Sequence, residues 1–81
     1  MPRVAGHQDE NGLLKRLGDA VRVARKARGL SQESLADAAG IDRSHLGKIE
    51  RGERNVTLLN VLKIAAALEG SAADLLRAAE L

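Results

Sequence analysis

One twenty-residue stretch, QESLADAAGIDRSHLGKIER at residues 32–51, constrains the fold more than any other part of the chain. Gly40 lies where a chain leaving one helix must reverse within a residue or two, often at a positive φ that suits glycine. Asp42 follows, and aspartate caps a new helix by accepting a hydrogen bond from a free N–H group. Apolar residues on both sides have the spacing of two helices packed at a steep angle: Leu35, Ala36, Ala39, Ile41, Leu46 and Ile49. The stretch is therefore predicted to be a helix, a sharp turn and a second helix.

The outer face of that second helix is predicted to be polar. The side chains opposite its apolar residues are Arg43, Ser44, Gly47 and Lys48. A helix-turn-helix presents this face to the major groove of DNA. The net charge is only +2, but Lys and Arg are concentrated in residues 12–30 and 42–56. Basic charge next to a reading helix favours nucleic acid, although such charge also solubilises many helix surfaces.

Helical spacing recurs in three further segments. Apolar residues at intervals of three and four predict a first helix from Leu13 to Gly29. Thr57 is expected to cap a fourth helix, whose core stripe would be Leu58, Val61, Leu62, Ala65 and Leu68. Ser71 and Asp74 resemble a capping box at the start of a short fifth helix. The predicted architecture is a compact all-α domain of five helices over residues 12–81, preceded by a disordered tail over residues 1–11.

Composition excludes several classes of protein. There is no Cys, so disulfides, zinc fingers and thiol nucleophiles are absent, and there is no Phe, Tyr or Trp for the core. No apolar run approaches the ~20 residues that span a bilayer, and the first residues lack a signal peptide's apolar segment, so a cytoplasmic protein is expected. No acidic pair or histidine cluster has a catalytic or metal-binding spacing. We therefore expect no enzyme activity, no cofactor and no metal.

Two segments of the sequence resemble a known family. The segment SQESLADAAGIDRSHLGKIERG is similar to the phage-repressor-type (Cro/C1, or XRE) helix-turn-helix family, and the similarity covers about residues 13–76. The segment DRSHLGKIERGERNVTLLNVLKIAAAL resembles the controller proteins of bacterial restriction-modification systems. The resemblance implies a lambda-repressor-like fold and a sequence-specific, dimeric transcriptional regulator. Such a protein binds a near-palindromic DNA operator to activate or repress transcription.

The resemblance also implies roles for individual residues. It assigns base contacts to Arg43, Ser44 and Lys48, and arginine matches guanine O6 and N7 with two hydrogen bonds. It assigns contacts to the DNA backbone or minor groove to Gln32, Arg51, Arg54 and Asn55. It implies a structural ion pair between Arg25 and Glu50. For His45, beside the reading face, both a base contact and a solvent-facing position remain open.

A homodimer is expected from the surplus of apolar residues in the last two helices. Leu59 and Ile64 lie off the predicted core stripe, and exposed apolar surface of this kind marks an interface. The expected dimer contacts are Leu59, Ile64, Leu75 and Leu76, although one of the last two could instead close the monomer core.

The sequence suggests two further partners, RNA polymerase and a partner protein. Glu33 and Asp37 resemble acidic positions of the lambda repressor that contact RNA polymerase, but acidic residues near a helix start also favour the helix dipole. The alternative function is an antitoxin-like protein that mainly binds a partner protein. Only about ten residues at either end could wrap such a partner, which disfavours it. No membrane and no small-molecule ligand are expected as partners.

Overall fold

The computed structural model describes Asp9 and residues 12–81, which form five α-helices joined by short loops. The helices are α1 (Leu13–Ala27), α2 (Gln32–Ala39), α3 (Arg43–Glu50), α4 (Leu58–Ala67) and α5 (Ala72–Ala78). The predicted all-α, five-helix class is confirmed. The predicted disordered tail falls on residues outside the described part, apart from Asp9. Within the described residues, no helix is both long and apolar enough to cross a bilayer.

The predicted helix starts are formed by short polar side chains. Four N-cap residues each accept a hydrogen bond from the backbone N–H three residues later: Ser31, Asp42, Thr57 and Ser71. Ser71 and Asp74 form a reciprocal capping box. Gly40 ends α2 with φ of 70°. These local signals fix α2 and α3 as separate helices joined by a tight turn.

The start of α1 is capped in a way that the sequence did not predict. Gly12 stands at the N-cap in the left-handed conformation and has no side chain to offer. Asp9 supplies the acceptor instead, because its Oδ2 atom accepts hydrogen bonds from the backbone N–H groups of Leu14 and Lys15, at 2.9 and 3.2 Å. A carboxylate at this end also favours the positive end of the helix dipole.

All five helices contribute to one aliphatic core. Its largest fully buried side chains are Val21, Leu35, Leu46 and Ile64, one from each of the first four helices. Leu75 adds the contribution of α5 at 5% exposure. Leu and Ile in the interior replace the aromatic anchors that the sequence lacks. The core therefore holds α3 by its Leu46 side and leaves the other side in solvent.

The structure corrects the predicted stripe of α4. The buried residues of this helix are Val61, Ile64 and Ala65, and Leu58 and Leu62 are 70% and 48% exposed. Val61, Ala65 and Leu68 of the predicted stripe are buried as expected. The helix is nevertheless rotated relative to the prediction, because Ile64 is inside and Leu58 and Leu62 are outside. Both stripes have helical spacing, so periodicity alone could not choose between them.

Burial removes two of the four expected dimer residues from the surface. Ile64 is 1% exposed and Leu75 is 5% exposed, so both side chains belong to the monomer core and neither is available to a partner. The expectation for Ile64 was wrong, and of the pair Leu75 and Leu76 it is Leu75 that closes the monomer core. Leu59 and Leu76 remain exposed, at 60% and 38%.

Glycine allows α1 and α3 to approach each other at backbone distance. A Cβ atom at Gly18 would lie 2.4 Å from the carbonyl oxygen of Ile49 and 2.6 Å from that of Glu50. Gly52, with φ of 71°, makes a second close approach, because its Cβ would lie 2.7 Å from the Cα of Lys15. The C-terminal end of α3 is therefore pressed directly onto α1, which fixes the direction in which α3 points.

Candidate DNA-binding surface

The outer side of α3 is the polar face that the sequence predicted. Arg43 and Ser44 are exposed in its first turn, and Lys48 is half-buried one turn after Ser44. Leu46 and Ile49, on the inner side, are 0% and 3% exposed. The helix therefore offers its N-terminal end and one side to a partner, and the first side chains there are an arginine and a serine.

Gly47 is not part of the exposed face, contrary to the prediction. It is buried, because two long side chains lie across it. A Cβ atom at this position would be 3.2 Å from Nη1 of Arg51 and 3.5 Å from Oε1 of Gln32. The ends of the Gln32 and Arg51 side chains therefore cover this part of α3.

Arg25 and Glu50 form the ion pair that the resemblance implied. The Nε atom of Arg25 donates to Oε2 of Glu50 at 2.7 Å, and Nη2 donates to Oε1 at 3.1 Å. Both residues are buried, and Nη1 of Arg25 also donates to the carbonyl of Leu30 at 2.8 Å. The bidentate geometry satisfies the polar groups of both side chains.

Gln32 joins this network from the start of α2. Its Nε2 atom donates to Oε1 of Glu50 at 3.1 Å. The side chain of Gln32 is therefore held in place, because Glu50 binds its carboxamide at the junction of α1, α2 and α3. An amide held in this position can meet a backbone phosphate without first losing the entropy of a mobile side chain.

The loop after α3 carries the remaining predicted contacts. Arg51, Arg54 and Asn55 are all exposed. The Nε atom of Arg51 is 3.1 Å from Oε1 of Glu53, and this pair is about half exposed. These side chains lie at the opposite end of α3 from Arg43.

His45 lies between the outer side of α3 and α4. Its ring is half-buried, and its Nε2 atom is 3.4 Å from Nδ2 of Asn60. The structure therefore gives this ring a neighbour on α4, in place of the solvent-facing position considered from the sequence.

A second exposed surface lies on α4. Leu58, Leu59 and Leu62 have relative exposures of 70%, 60% and 48%, and the helical spacing puts them on one side of the helix. We call these three residues the outer leucine face. On α2, Glu33 and Asp37 are exposed one turn apart.

Comparison with known proteins identifies the class. The helix-turn-helix family (HTH_3) matches residues 21–75, from the middle of α1 into α5. The chain belongs to this helix-turn-helix family.

The relatives specify the kind of regulator that this chain resembles. The control protein C.SmaI of Serratia marcescens is 45% identical over 60 residues, which are 74% of this chain and 71% of that protein. The control protein C.BamHI of Bacillus amyloliquefaciens is 40% identical over 67 residues, which are 82% and 83%. The crystal structure of the restriction-modification controller protein C.AhdI from Aeromonas hydrophila is 50% identical and has a TM-score of 0.76, and the match covers 76% of this chain and 94% of that one.

These relatives, together with the polar face of α3, establish the general function. The chain is a DNA-binding transcriptional regulator of the helix-turn-helix type that resembles restriction-modification controller proteins, and it is not an enzyme. The antitoxin alternative has no support among these relatives, which are named as control and controller proteins.

Proposed function

We propose that this regulator is a controller-type protein that works as a two-fold dimer on a near-palindromic operator. The observation that carries the proposal is the arrangement of α3, where Arg43 and Ser44 project from the first turn while Leu46 anchors the opposite side. In a helix-turn-helix complex, the N-terminal residues of the second helix contact the base edges. Arg43 reads a guanine through O6 and N7, with Ser44 and Lys48 beside it.

The DNA backbone is held beside the C-terminal half of α3. Gln32 and Arg51 flank one side of the helix, and Arg54 and Asn55 extend from the loop that follows it. Contacts to phosphates position the protein but carry no sequence information. This division of roles separates residues that set specificity from residues that set overall affinity.

The outer leucine face is the proposed centre of the dimer, with Leu76 of α5 as a further contact. Three exposed leucines lie on one side of a ten-residue helix, and exposing this much apolar surface to water is unfavourable. Contact with a second copy of the chain buries these side chains. Two-fold symmetry sets the two copies of α3 about 34 Å apart, one turn of DNA. The two-fold symmetry requires a near-palindromic operator, and the spacing sets the distance between its half-sites.

A second role is activation through α2. Glu33 and Asp37 are exposed and are without an ion pair among the side chains that the structure describes. Phosphates repel carboxylates, so these side chains suit a protein partner beside the operator. We propose RNA polymerase as that partner.

The compartment in which this function operates is the one that holds the DNA, which is the cytoplasm in bacteria.

The test of sequence reading compares two arginines. An operator is first selected from random duplexes, and binding is then measured on it and on an unrelated duplex. Arg43→Ala should cost about 1–3 kcal/mol on the operator and almost nothing on the unrelated duplex. Arg54→Ala should weaken both and reduce the salt dependence. If the wild-type protein selects no preferred duplex, or if Arg43→Ala weakens both equally, the proposed reading face is wrong.

A further inference from the structure

A polar notch of about 540 Å³ opens between α1 and the C-terminal end of α3. Gln32, Glu50 and Arg51 form one wall, and Arg22 of α1 contributes to the other. Two residues of the first wall, Gln32 and Arg51, are those that the proposed function assigns to the DNA backbone. Arg22 has no role in the function derived so far.

Most of the charge in the notch is already compensated. Lys15 pairs with Asp19 at 3.2 Å, and Arg51 pairs with Glu53 at 3.1 Å. Within the part of the chain that the structure describes, Arg22 is the cation of this notch that has no carboxylate partner.

The acid at the back of the notch does not pair with Arg22 either. Both oxygens of Glu50 accept hydrogen bonds from Arg25, and one of them also accepts from Gln32. Arg22 is exposed, so its guanidinium gives the notch its one surplus positive charge. Such a group attracts an anion, and its fork of N–H donors suits a phosphate.

We propose that the notch receives a backbone phosphate of the bound duplex and that Arg22 binds it, with the carboxamide of Gln32 on the facing wall. This inference rests on the proposed function and adds α1 to the DNA-binding surface. The phosphate belongs to DNA because the notch opens next to Gln32 and Arg51. Arg22 then contributes to affinity on every sequence and carries no specificity.

The experiment uses a matched pair of variants, Arg22→Ala and Arg16→Ala. Both remove one exposed arginine from α1, but Arg16 lines a different cavity, between α1 and α5. Binding to the selected operator and to an unrelated duplex is measured over a range of salt concentrations. Arg22→Ala should weaken both by roughly tenfold and reduce the slope of log K against log salt by about 0.9 per protomer. Arg16→Ala should change both much less, and circular dichroism should show both variants folded.

Three results would overturn the inference. Equal losses for the two variants would mean that only total charge matters. Unchanged binding by Arg22→Ala, when the wild-type protein binds its operator, would remove Arg22 from the interface and leave the proposed function intact. Inorganic phosphate is the third arm: if it raises the melting temperature of the wild-type protein but not of Arg22→Ala, while DNA affinity is unchanged, the notch is a site for a free anion. A wild-type protein that binds no DNA would instead refute the proposed function.

Discussion

Arg25 donates two hydrogen bonds to Glu50 across the contact between α1 and α3, and both side chains are almost fully removed from solvent. The pair joins residues 25 positions apart in the chain. Breaking one side of such a pair leaves an uncompensated buried charge, which costs more than the pair contributes.

Arg25→Met should therefore lower the free energy of unfolding by about 3–5 kcal/mol. Because the chain has no Trp or Tyr, urea denaturation is best followed by circular dichroism. Arg28→Met is the control, since Arg28 pairs with Glu69 at the exposed surface, and it should cost less than about 1 kcal/mol. A loss of similar size in both variants would show that the buried pair has no special structural role.

Gly18→Ala should destabilise the domain, although alanine is the better helix former. Its Cβ would meet the backbone of Ile49 and Glu50, which cannot move aside as a side chain can. We expect a loss of about 1–3 kcal/mol. Gly47→Ala is the control, because its Cβ meets only the ends of Gln32 and Arg51, and stability should rise by up to ~1 kcal/mol. Equal stability changes in the two variants would contradict the close contact of α1 with α3.

Leu59→Asp should convert a dimer to a monomer without unfolding the protomer, because Leu59 is already 60% exposed there. Sedimentation at micromolar concentration measures the change, and operator affinity should fall with it. Val23→Asp places the same charge at an exposed apolar position of α1, at 68%, and should leave the dimer intact. A wild-type protein that sediments as a monomer both with and without operator would refute the dimer.

Replacing Glu33 and Asp37 together by uncharged residues should leave operator affinity unchanged or raised, because two charges that repel phosphate are lost. Transcription from an activated promoter should fall in a reporter assay. Normal activation by the double variant would show that these carboxylates are only surface charge.

The capping box of α5 should give a pH-dependent contribution to stability. Hydrogen bonds from the backbone and side chain of Ser71 lower the pKa of Asp74 below its ordinary value, with a smaller effect of Arg77. The ionised carboxylate therefore stabilises the fold fully above the unfolded pKa, about 3.9, and this contribution is lost as the pH falls through the folded pKa. Asp74→Asn should lower the melting temperature more at neutral pH than in acid. A pH-independent difference between the two proteins would argue against an ionised cap.

The parts of the fold that sequence could predict are those with a local cause. The N-cap side chains each accept a hydrogen bond from the residue three positions later, so the signal lies within a short stretch of sequence. These residues are Ser31, Asp42, Thr57 and Ser71. The turn at Gly40 is equally local. The polar side of α3 followed from its spacing.

The parts that sequence did not predict depend on contacts between distant segments. Ile64 fits the outside or the inside of α4 equally well until the packing of α2 against α4 is known. Gly18 reads as an ordinary helical residue, and only the backbone of α3 shows why a side chain there is excluded. Arg22 shares its helix with four other basic residues, and only the notch distinguishes it.

The main-chain contact of α1 with α3 has a consequence for the evolution of new binding specificities. Gly18 and Gly52 set the orientation of α3 relative to α1. The residues at 43, 44 and 48 are therefore free to vary without repacking the interior. We expect a library randomised at these three positions to keep the same docking angle and to yield variants that recognise different operators. The DNA sequence that this domain recognises can therefore change while the orientation of α3 stays the same.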